Sequence, residues 1–135
     1  MHRIFVSYTL RGNDLNYEML DRFKSKLNLN PSIYTYIDIL DNDSLNHQDR
    51  VVQELMKADI ICLINSREVH NSMWVKKELD IARDCSIPIA QITVQQLNAY
   101  INNSYVFSAE EYSLIPCVHR SVKSPRPAKL SSGSA

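Results

Sequence analysis

The residues best suited to chemistry lie in the stretch Ser72-Met-Trp-Val-Lys-Lys-Glu78-Leu79. Trp74 and Glu78 are four apart, so on a helix they share a face and present an aromatic plane beside a carboxylate. Such a plane stacks on a flat base, while a carboxylate hydrogen-bonds sugar hydroxyls and favours positive charge developing at an anomeric carbon. Together they could cleave a nucleoside bond. The alternative is structural, with Trp74 as a core anchor and Glu78 as a solvated partner of Lys76 or Arg83. Earlier in the chain stand Ser7, Tyr8 and Arg11, and then Asp38 to Ser44, a run that includes Asn42 and three aspartates. A turn needs fewer aspartates than that, so the surplus leans towards recognition. Arg11 could meet a phosphate bidentately or be an ordinary solvated charge. His47 and His70 lie in polar segments without metal-ligand spacing, where a histidine is usually just an exposed side chain.

These residues need a scaffold, and the apolar pattern supplies one. Arg3-Ile-Phe-Val-Ser-Tyr8 is a short apolar burst ending in small polar residues, which predicts a first strand entering a loop. From Asn13 to Leu27 the apolar positions Leu15, Met19, Leu20, Phe23 and Leu27 form one helical stripe, with Asn13 or Asp14 available as a cap. Pro31 ends that pattern, and Ile33 to Ile39 is β-branched and aromatic, so it predicts strand two, followed by the polar loop Asp41 to Ser44. Val51, Val52, Leu55 and Met56 resume helical spacing. Ile60-Ile-Cys-Leu-Ile64 is a continuous apolar run of the kind covered on both faces, hence a central third strand. Ser66 to Ser72 predicts a polar loop, Met73 to Arg83 a helix with one buried side, and Ser86 to Ile92 a fourth strand with Pro88 near its start. Val94 to Ile101 fits a helix and Tyr105 to Phe107 a short edge strand.

Alternation of strands and helices predicts an α/β fold, a flavodoxin-like three-layer domain with a central parallel sheet of four or five strands and helices on both faces. In such a sheet ligands bind beyond the carboxyl ends of the strands, near a switch in strand order. The loops carrying Ser7, Tyr8 and Arg11, Asp38 to Ser44, and Ser66 to Trp74 all fall there.

Composition narrows the classes. The chain has 135 residues, enough for one ordinary domain and too few for two. Its 15 basic and 15 acidic residues cancel, so no global field gathers nucleic acid or an anionic membrane. No apolar run reaches the length that crosses a bilayer, and the N-terminus turns polar at Ser7, which makes a cytoplasmic protein the expectation. Three cysteines, Cys62, Cys85 and Cys117, match neither a disulfide framework nor a zinc site, and no metal site is expected. The only two glycines, Gly12 and Gly133, allow neither a dinucleotide fingerprint nor a P-loop. Residues 1–122 are expected to form the domain. Lys123 to Ala135, rich in Pro, Ser, Lys and Arg, is expected to be a disordered tail, and its cations lack the interleaved aromatics of a nucleic-acid site.

Ile4-Phe-Val-Ser-Tyr8, Tyr36-Ile-Asp38 before a polar loop, and Ser72-Met-Trp-Val-Lys-Lys-Glu-Leu79 followed by Ala82 together resemble the Toll/interleukin receptor (TIR) domain family, over roughly Arg3 to Ile92. The last block is the most specific, because several enzymatic TIR domains carry a Trp-x-x-x-Glu stretch there. The resemblance is to stand-alone bacterial members, and it implies cleavage of the nicotinamide-ribose bond of NAD+ in antiphage defence, with NAD+ as substrate and no cofactor. It implies that Glu78 is catalytic and Trp74 the aromatic wall beside it. Ser7, Tyr8 and Arg11 would line the nucleotide, Asp38, Asn42 and Ser44 would also bind the substrate, and Asp38 to Leu45 would form a loop that gates the pocket and mediates self-association. The product could be ADP-ribose or a cyclic signal read by a downstream effector. Three other readings share parts of the pattern. A non-catalytic TIR-TIR interaction module would have the same fold, and a deoxyribosyltransferase-like enzyme would also set a glutamate against a sugar. A phosphate-accepting receiver would need paired acids after strand one and an aspartate after strand three, where Ser7-Tyr8 and Asn65-Ser66 stand.

Overall fold

In the computed structural model, residues 2–102 are described. The elements run β1 (His2–Ser7), α1 (Tyr17–Leu27), β2 (Ile33–Tyr36), the single turn α2 (Asp38–Asp41), α3 (His47–Lys57), β3 (Ile60–Asn65), α4 (Met73–Asp84), β4 (Ile89–Thr93) and α5 (Val94–Asn102), with a short 3-10 turn at Val69–Asn71. Among the described residues four strands make one parallel sheet in the order β2-β1-β3-β4, which is the start of the flavodoxin-like order. The expected edge strand at Tyr105 to Phe107, the limit at residue 122 and the tail from Lys123 lie outside the described residues.

The alternation within β3 explains the three layers. Ile60, Cys62 and Ile64 face one way and pack with Leu20, Phe23 and Leu27 of α1 and Leu97 and Tyr100 of α5. Ile61 and Leu63 face the other way, against Val51 and Leu55 of α3 and Val75, Leu79 and Ala82 of α4. A strand flanked on both sides and covered on both faces has no exposed position to fill with a polar residue, hence the unbroken run.

Several boundaries differ from expectation for local reasons. α1 begins later than Asn13, because Asn16 is the cap: its Oδ1 accepts from the Met19 N–H at 2.9 Å. Asn13 instead adopts a left-handed backbone, φ 63°, and Asp14 Oδ2 accepts from the Arg67 N–H at 2.7 Å. α3 starts at His47, ahead of its apolar stripe, because the Asn46 side chain accepts from Asp49 N–H. Strand two stops at Tyr36 rather than Ile39. There the Asp41 carboxylate reaches back to the Ile37 N–H at 2.8 Å and pairs with Lys24 of α1 at 2.9 Å. A single helical turn replaces the end of the strand, and Asp38 and Asp41 belong to it. β4 begins at Ile89, after Ser86 turns the chain with φ 58°.

Candidate functional site

The sheet order reverses between β1 and β3, so the loops leaving these strands diverge and open a crevice at their carboxyl ends. Ser7 is the last residue of β1, and α4 begins after the loop that leaves β3. Ser72 caps α4, its Oγ accepting from the Val75 N–H at 3.2 Å. This cap sets the helix phase, so that Trp74 and Glu78 face the crevice one turn apart.

Glu78 is buried, only 5% exposed. Its Oε1 accepts a hydrogen bond from Ser7 Oγ at 2.7 Å, a contact spanning 71 positions of sequence. Burial pushes its carboxyl up to about 7; the Ser7 hydrogen bond opposes this, the Asp38 charge adds to the rise, and the Trp74 side chain opposes it. The solvated partnership with Lys76 or Arg83 is therefore excluded: Arg83 pairs with Asp80 at 3.2 Å on the exposed side of α4. Trp74 is 36% exposed, too open for a core anchor.

A cleft of about 210 Å³ is lined by Tyr8, Thr9, Leu10, Asp38, Ser72, Trp74 and Glu78. Of the residues singled out from sequence, the structure brings Tyr8, Asp38, Trp74 and Glu78 to this cleft. Tyr8 is held by burial well into the neutral phenol range, at about 12, and its hydroxyl oxygen accepts from the Ile39 N–H at 3.0 Å. Asp38 accepts from Tyr36 Oη at 2.9 Å and Asn42 Nδ2 at 2.7 Å. Ser7 is completely buried and meets Glu78, so it lies behind the cleft wall and is not a lining residue.

Three more of the expected residues are not among those lining the cleft. Arg11 is exposed, its guanidinium donating to the Asn71 carbonyl at 3.5 Å, and it is not among the residues that line the cleft. Asn42 braces the loop, donating to Asp38 Oδ1 and to the His47 carbonyl. Ser44 closes the same turn, its Oγ donating to the Asn46 carbonyl. Both are used up in local structure and neither lines the cleft. Thr9, Leu10 and Ser72 were not foreseen as lining residues. Ser72 carried a signal as a helix cap ahead of Trp74, while Thr9 and Leu10 had none beyond following β1. The cleft falls short of the roughly 300 Å³ and upward that encloses a drug-sized ligand, so it can take one end of a dinucleotide and not the whole.

Fold, strand order and crevice together define a TIR-type α/β domain. The family model described as Thoeris protein ThsB, TIR-like domain, matches residues 5–99, and the chain belongs to that family. No curated protein matches the chain significantly. Among the described residues no helix is long and apolar enough to cross a membrane.

Proposed function

We propose that the protein cleaves the bond between nicotinamide and ribose in NAD+, releasing ADP-ribose or a cyclic derivative, and that it does so in antiphage defence. The observation that supports this best is the pairing of the buried Glu78 carboxyl with Ser7 at a cleft that Trp74 and Asp38 also line. The scissile C–N bond breaks with its electron pair passing to the ring nitrogen, so cationic pyridinium becomes neutral nicotinamide. The positive charge appears on the ribosyl carbon instead. Glu78 is the catalytic residue: its carboxylate stabilises that charge through the ribose hydroxyls. Because the leaving group is already cationic it needs no proton, so one carboxylate suffices where glycosidases use two. Water, or an adenine nitrogen of the same substrate, then attacks the carbon; water loses its proton to solvent. Ser7 is a positioning residue, fixing the Glu78 oxygen that it bonds. Trp74 offers its face to a flat ring, and Asp38 faces the ribose from α2.

The test is nicotinamide release from NAD+ by concentrated purified protein, followed by mass spectrometry of the products, with Glu78→Gln as control. Turnover equal in wild type and variant overturns the reading. A second reading, a TIR-TIR interaction module, is favoured by Leu45, whose side chain is fully exposed (104%) in the loop before α3, with Ile39 44% exposed nearby. Association with no turnover at any concentration would select it.

A further inference from the structure

The helix that carries Trp74 and Glu78 has a second flank. At 3.6 residues per turn, Lys76, Asp80 and Arg83 project from the side of α4 opposite to that pair. They border a separate groove of about 590 Å³, floored by Leu63 of β3 and by Ile89 and Gln91 of β4. The fold explains why it is open. On this face α3 and α4 cover the inner strands, while α5, which follows β4, crosses to the face of α1. Among the described residues no helix lies over β4 beside α4, and Gln91 and Thr93 are accordingly exposed. We propose that this groove is a second ligand site, for a nucleoside monophosphate, with the phosphate at the His70 and Lys76 end and the base laid along Leu79 and Ile89 towards Arg83. It shares no lining residue with the cleft and stands independently of the NAD+ reading.

Size is the first argument. A volume of about 590 Å³ falls within the roughly 300–1,000 Å³ of sites that enclose a small ligand, a range that the cleft does not reach. Charge is the second, and it gives the groove a direction. His70 stands in the 3-10 turn ahead of α4 and Lys76 in the first turn of the helix, whereas Arg83 comes two turns, about 10.5 Å, further along. The Lys76 ammonium has no ion-pair partner among the described residues. Arg83 is offset by Asp80 at 3.2 Å. One end therefore attracts an anion, and the other presents a neutral pair. Phosphate suits the first end, because lysine binds it as a point charge and an imidazole N–H adds a donor. Chemistry between the ends is the third argument. Val69, Val75, Leu79 and Ile89 offer apolar contact to a flat ring. A hydrocarbon tail would leave the polar groups along that bed unused. A nucleobase has ring nitrogens and exocyclic amines with which the Asp80 carboxylate, the Arg83 guanidinium and the Gln91 amide can pair. Two helical turns also match the span from the phosphate to the far edge of the base in an extended nucleotide. The charged groups are exposed, so salt screens the phosphate contact.

The experiment is an NMR titration of the full chain, methyl-labelled, with AMP, adenosine and octanoate at low and high salt, in wild type, Lys76→Glu and Gln91→Trp. Lys76 and Gln91 are exposed, so neither substitution disturbs the core, and thermal unfolding of each variant checks the fold. AMP is expected to shift the methyl signals of Val69, Val75, Leu79 and Ile89. Adenosine should bind about five-fold more weakly than AMP, with the margin narrowing at high salt. Lys76→Glu should weaken AMP by about ten-fold, and Gln91→Trp, whose indole fills the groove, should abolish the shifts. Shifts confined to Thr9 and Leu10, no shifts at millimolar AMP, equal affinity for AMP and adenosine, tighter binding of octanoate, or unchanged AMP affinity in the folded variants overturns the proposal. So does a free chain in which the same methyl signals move on dilution or show contacts with residues 103–135, because a second copy or the chain itself then fills the groove.

Discussion

Glu78 holds an acid group close to neutrality by being shut away from water and tied to one hydroxyl. Chemistry that needs the carboxylate is expected to rise with pH through about 7, which a pH profile of nicotinamide release would show. Ser7→Ala removes the hydrogen bond that favours the charged form, so the acid limb should move up by about one unit. A merely structural serine would leave that limb in place. The same carboxyl has a cost in stability. Its folded value lies above the usual 4.5, so the native state binds the extra proton, and stability is lost as pH rises from about 4.5 through about 7. At pH 8 the penalty is roughly 3 kcal/mol, taking 1.36 kcal/mol per pKa unit. Glu78→Gln should therefore abolish turnover yet unfold at a higher temperature than wild type at pH 8, with the advantage shrinking towards pH 5. Thermal unfolding at the two pH values checks the sign.

The single turn α2 is the least self-sufficient element near the site. Four residues cannot sustain a helix alone, and α2 is held by tethers: Asp41 to Lys24 and to the Ile37 N–H, and the Ile39 N–H to Tyr8. Asp41→Ala cuts two of these and should cost about 1–2 kcal/mol in urea unfolding. It should also raise KM for NAD+ more than it lowers kcat, because Asp38 is carried on the loosened turn. The strands and long helices, by contrast, were legible as elements because their apolar periodicity is dictated by the layers they pack between. The departures came where a side chain overrode propensity: Asn16 capping α1 in place of Asn13 or Asp14, and Asp41 bending the end of β2 into helix. Such hydrogen bonds depend on which backbone N–H is left unpaired, and periodicity carries no trace of that.

Considered as a molecule, the chain has no net charge to steer a partner and a cleft of about 210 Å³ that encloses one end of its proposed substrate. The remainder of a dinucleotide does not fit inside it, and on the α2 side Leu45 and Ile39 are exposed. Self-association through this edge would cover both the ligand and the apolar side chains. Leu45→Glu is then expected to reduce the mass seen in light scattering and to lower specific activity most at high protein concentration, leaving thermal stability within about 0.5 kcal/mol of wild type, since the side chain is fully exposed.

The amino-acid sequence by itself determined the layered α/β architecture and the helical pairing of Trp74 with Glu78, because both follow from the periodicity of the backbone. Strand order in the sheet, the burial of Glu78 against Ser7, and the withdrawal of Arg11, Asn42 and Ser44 from the cleft were decided only in three dimensions. The physical reason is that desolvation and a hydrogen bond across 71 positions arise when distant segments close on one another. No local spacing of residue types contains that closure.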